Sequence, residues 1–124
     1  MITEDYISFD IAKLLKDKGF DADITTYRDY FIQNGNIVIS LQECLSKDRF
    51  KTPTLQMAMK WLREVHNLEI YPNHDNFQEQ HNWWFGIYKF SKGYSDFIYE
   101  SDSIYPTYEE SCEAAVKYCL ENLI

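Results

Sequence analysis

The 124-residue sequence predicts one α+β domain, a largely antiparallel sheet with three amphipathic helices packed on it, in the order α-ββ-α-β-ββ-α. Three observations carry this. Two runs rich in aromatic and β-branched residues, Tyr27 to Gln33 and Asn36 to Leu41, flank Asn34-Gly35, the preferred pair for a two-residue hairpin turn. A second pair of runs, Trp83 to Phe90 and Tyr94 to Tyr99, flanks Ser91-Lys92-Gly93, a three-residue loop with glycine where a left-handed residue is wanted. Finally, Thr107-x-x-Glu110 is a capping box ahead of a long apolar stripe.

The elements follow in order. Ile7, Ile11, Leu14 and Leu15 recur at helical spacing, giving a first helix near 6–18. Thr3 and Ser8 both suit its N-cap, and Lys16 and Lys18 suit the negative end of its dipole. Gly19 fits the left-handed position after the helix, with Phe20 folding back toward Leu15. After the first hairpin, Gln42 to Lys51 is polar and irregular, with room for one helical turn. Thr52 as cap and Pro53 at the first helical position open a second helix near 53–66. Its buried stripe is Leu55, Ala58, Met59, Leu62 and Val65, widened by Met57 and Trp61. A short strand, Leu68 to Tyr71, is ended by Pro72. The third helix, near 107–122, carries Cys112, Ala115, Val116, Cys119, Leu120 and Leu123 on one face, and Glu113 and Lys117 form an i,i+4 pair outside. Leu15, Trp61, Leu62, Val116, Cys119 and Leu120 are the expected core.

Charge restricts the partners. The formal net charge is −8. Up to Lys51 the chain has 7 basic and 9 acidic residues; from Thr52 onward it has 5 and 11. Such a surface repels phosphates and anionic lipid, which argues against direct nucleic-acid or membrane binding. The αβββα order of the last ~70 residues is that of double-stranded RNA-binding domains, but the basic residues such a domain needs are missing. No apolar run approaches the ~20 residues of a membrane helix. Glu4 and Asp5 stand where a secretory leader carries basic residues, so a cytoplasmic protein is expected.

No constellation of catalytic or metal-binding residues emerges. Cys44, Cys112 and Cys119 include no CxxC pair, and the last two are seven apart on one helix face, about 10 Å along its axis and too far for a disulfide. Three buried thiols are expected, without a nucleophile signature. His66, His74 and His81, with Asp75 and Glu79, lack a known ligand spacing. Glu109 and Glu110 answer to the helix N-terminus they occupy, Asp21 and Asp23 to an acidic surface, and the four glycines form no phosphate loop. The expectation is a protein without cofactor or metal, and not an enzyme.

One feature exceeds what a core requires. Aromatics are 17% of the residues, about double a common share. On the strand Trp83 to Phe90, alternation sends Trp83, Phe85 and Ile87 to one face and Trp84, Tyr88 and Phe90 to the other. A sheet wet on one side alternates apolar with polar, so something must cover the second face, either the protein's own helices and loops or another chain. Trp83, Trp84 and Tyr88, with Phe97 or Tyr99 beside them, are therefore the candidate aromatic contact surface. One indole is expected under the helices and the other outward.

Three blocks also resemble a known group. They are Ala12-Lys13-Leu14-Leu15-Lys16-Asp17-Lys18-Gly19-Phe20, Pro53-Thr54-Leu55-Gln56 to Lys60-Trp61-Leu62-Arg63-Glu64-x-His66, and Tyr108-Glu109-Glu110 to Tyr118-Cys119-Leu120-Glu121. Together they resemble a family of small uncharacterised proteins of gut bacteria and their phages and prophages. The resemblance implies a small accessory protein of mobile-element origin, and it carries over no functional residue. The leading expectation is a non-enzymatic protein-binding or self-associating module. Two others stand beside it: an acidic decoy that mimics phosphate charge toward a nucleic-acid-binding protein, and an enzyme whose site is assembled from distant residues.

Overall fold

The computed structural model describes residues 2–20, 27–33, 36–40 and 50–124. The Asn34-Gly35 turn, Cys44 and the irregular stretch 42–49 lie outside the described residues. The fold is α+β, with three α-helices and two three-stranded antiparallel sheets among the described residues. The chain divides into two compact units, 1–57 and 58–124.

In the first unit, helix α1 is Phe9–Asp17. Ser8 caps it, its Oγ accepting from the Ile11 N–H at 3.4 Å. The helix stops as the sequence implies. Gly19 adopts φ +88°, its N–H donates to Lys16 O at 3.1 Å, and the Phe20 N–H donates to Leu15 O at 2.9 Å. Strands β1 (Tyr27–Gln33) and β2 (Asn36–Ser40) form the expected hairpin, closing on the pair Gln33 and Asn36.

Strand β3, Phe50–Pro53, is a correction to the sequence reading. It pairs with β1, setting Pro53 opposite Tyr27 and Thr52 opposite Arg28, so these two residues are sheet rather than helix start. Pro53 has no N–H to give, but its carbonyl accepts from the Ile7 N–H at 3.2 Å. Tyr6 bridges to Thr54, extending the pairing. α1 packs against β3, burying Ile11, Ala12 and Leu15.

Helix α2, Leu55–His66, therefore begins two residues later than expected. Thr54 is its cap, with Oγ1 accepting from the Met57 N–H at 3.2 Å. Leu55, Ala58, Met59 and Leu62 are buried, but the stripe ends there. Val65 is 58% exposed, because the last turn of the helix lies clear of the core. Trp61 is half-buried, its ring edge-on to His66 at 4.7 Å. Asn67 then takes φ 58°, the left-handed conformation that ends the helix.

The second unit is built on strands β4 (Leu68–Asp75), β5 (Asn82–Ser91) and β6 (Tyr94–Glu100), in spatial order β4-β5-β6. β4 does not stop at Pro72. It continues to Asp75 because it is an edge strand, paired on one side only, where a missing N–H is tolerated. The β5–β6 turn is tighter than expected: Ser91 pairs with Tyr94, leaving Lys92 and Gly93 at the tip, with Gly93 at φ +85°. Helix α3, Tyr108–Asn122, packs on β4 and β5. Thr107 caps it, Oγ1 accepting from the Glu110 N–H at 3.1 Å. Ser111, Cys112, Ala115, Val116, Cys119 and Leu120 are buried, and Lys117 reaches Glu121 at 3.7 Å on the outer side.

Candidate aromatic contact surface

The site follows from the pleat of β5. Phe85 and Ile87 are buried on the face that carries α3. Trp83 belongs to the same alternating set, and its ring meets Tyr108 of α3 edge-on, with centroids 5.5 Å apart. Tyr99, opposite Ile87, stacks on Tyr118 of α3 at 3.8 Å. This face is closed by aromatic contact between sheet and helix.

Trp84, Gly86 and Tyr88 point the other way. Cross-strand pairing sets Asn73 beside Trp84, Tyr71 and Glu100 beside Gly86, and Phe97 beside Tyr88. Tyr71 and Phe97 each meet Tyr88 nearly perpendicularly, with centroids 5.0 and 5.4 Å from it. The rings surround a hollow of about 520 Å³ over Gly86, where the absent side chain leaves the floor low. Tyr71 and Phe97 remain 48% and 56% exposed, and Trp84 and Tyr88 are half-buried. The Trp84 indole N–H donates to Glu100 Oε1 at 3.0 Å, placing a carboxylate at the rim. Asn73 and Ser95 complete the polar lining.

Of the three candidate residues, Trp84 and Tyr88 thus share the open face, while Trp83 turns to α3. Phe97 joins the open face and Tyr99 does not, because the register slips between Ile87 and Tyr88. Tyr71, Gly86 and Glu100 were not singled out by sequence. Tyr71 lay inside the expected strand, and the missing signal was the β4–β5 register that sets it beside Gly86. For Glu100 it was the bulge, which no residue type in β6 announces.

The remaining candidates are arranged differently. The hairpin from β4 to β5 brings His74 and His81 together, with Nε2 of the first 3.0 Å from Nδ1 of the second. The His74 ring also packs on Trp83, with centroids 4.4 Å apart. Asp75 is turned to local structure, its Oδ1 accepting from the Asn82 side-chain amide at 3.0 Å and the Phe77 N–H at 3.3 Å. Among the described residues, no group of three His, Cys, Asp or Glu is disposed to hold a metal ion. Cys112 and Cys119 are free, buried thiols. Burial pushes Cys112 up to about 11, against the hydrogen bond from Tyr108, and pushes Cys119 up to about 12. Neither is a useful nucleophile at neutral pH, where the reactive thiolate is suppressed.

No protein-family model, curated protein or solved structure matches the chain.

Proposed function

We propose that this protein is a small, non-enzymatic, cytoplasmic module that binds another protein or self-associates through the open face of the β4–β6 sheet. The observation that carries the reading is the exposure of Tyr71 and Phe97 around a hollow, on a face whose strand alternation is apolar on both sides. Exposed rings held by a rigid sheet offer large contact area at low ordering cost, which is why Tyr and Trp recur at interfaces. In keeping with the family resemblance, we place the protein among accessory proteins of phage or prophage origin. Among the described residues no helix is long and apolar enough to cross a membrane.

The test is Trp84→Ser, compared with wild type by light scattering across a concentration series and by capture of partners on immobilised protein. Loss of self-association or of a captured partner, with the urea midpoint little changed, supports the reading. Identical association behaviour of the two proteins defeats it.

A further inference from the structure

The hollow over Gly86 has a chemistry more specific than an apolar patch, and the following rests on the contact-surface reading just given. Four rings line it, from Tyr71, Trp84, Tyr88 and Phe97. Tyr71 and Phe97 stand at 76° and 72° to Tyr88, edge to face, so the rings around the hollow are set at near right angles rather than in one flat stack. Ring faces carry negative quadrupole density, and a cation placed between several such faces is attracted by each. Glu100 adds a formal negative charge at the rim, held in place by the Trp84 indole. Among the described residues, no Lys or Arg lines the hollow.

We infer that the hollow is a receptor for a cationic side chain, a lysine or arginine presented by a basic segment of a partner protein. Charge complementarity selects this occupant over a second copy of the chain. The formal charge is −8, so two copies repel, whereas a basic segment is drawn toward the same surface. The lysine stem would lie along the rings and its ammonium between them and Glu100, so that the apolar and charged parts of one side chain are both satisfied.

The experiment separates cation recognition from simple apolar contact. The full-length, 15N-labelled protein is titrated with a short, uncharged glycine peptide bearing one lysine, and with its isostere bearing norleucine. The Trp84 indole N–H resonance is the local readout. The lysine peptide is expected to bind at least about threefold more tightly. Glu100→Gln, which keeps an acceptor for the indole but removes the charge, is expected to erase most of that preference, and added salt to weaken it. Gly86→Ala raises the floor, and its new methyl carbon would come no closer than 3.7 Å to other atoms, so loss of binding there is not loss of fold. Equal binding of the two peptides overturns the cation reading while leaving an apolar contact surface standing. Binding of neither peptide also overturns it. So does a concentration-dependent dimer that blocks the lysine peptide, which would give the site to a second copy.

Discussion

The β4–β6 sheet has one face under α3 and, among the described residues, one face without a helix, and its central strand brings aromatic rings to both. On the covered face Trp83, Phe85 and Tyr99 meet Tyr108, Tyr105 and Tyr118, and the rings complete a core. On the open face Tyr71 and Phe97 meet Tyr88, and the Trp84 indole turns to Glu100, leaving two rings half in water. The residue types are the same; only what lies opposite differs. The comparison teaches that aromatic content does not mark a core or an interface by itself. A ring belongs to the core when a helix meets it, and is available to a partner when none does.

Five substitutions break or sharpen this contrast. The largest effect belongs to the covered face. Ile87→Ala and Leu120→Ala each empty a fully buried site, and each is expected to lower unfolding free energy by about 2–5 kcal/mol in urea titrations. Unchanged midpoints in both would show that α3 does not close this face.

Next comes the pH dependence of the same core. The folded state holds the Cys112 thiol up at about 11, above its ordinary value of 9.0, so its protonated form contributes stability fully below pH 9. As pH rises from 9.0 toward about 11 the unfolded chain ionises first and that stability is lost. Cys112→Ala should therefore flatten the fall in urea midpoint over this window relative to wild type. A parallel fall in both proteins would assign the alkaline loss to other groups, Cys119 foremost.

Phe97→Ser probes the open face from the same sheet. It is expected to change stability by no more than about 1 kcal/mol, because the ring is more than half exposed, while weakening any partner contact. A destabilisation as large as that of Ile87→Ala would place Phe97 in the core and erase the distinction between the faces. The smallest effect is Gly86→Ala, expected to stabilise by about 0.4–1 kcal/mol through a less flexible unfolded chain, since the added methyl meets only ordinary contacts at 3.7–3.9 Å. Loss of stability there would mean that the aromatic walls cannot accommodate a raised floor.

What the sequence determined by itself was local. Ser8, Gly19, Thr107 and Gly93 act where their own backbone chemistry requires, because caps and turns are decided by hydrogen bonds within a few residues. The opposite orientation of Trp83 and Trp84 was equally legible, since a strand's pleat needs no partner to alternate. Tertiary structure decided the rest. Thr52 and Pro53 read as a helix start, yet pairing with β1 drew them into β3 and passed the capping role to Thr54. Pro72 read as a stop, yet an edge position let β4 run on and deliver Asn73 to the open face. The bulge between Ile87 and Tyr88 separated Tyr99 from Phe97, which a regular ladder would keep on one face, and set Glu100 opposite Gly86 instead. Each of these depends on which strand lies alongside, and that is a contact between residues far apart in the chain. The hollow over Gly86 is of this kind: a glycine from one strand, rings from three, and a carboxylate made adjacent by register.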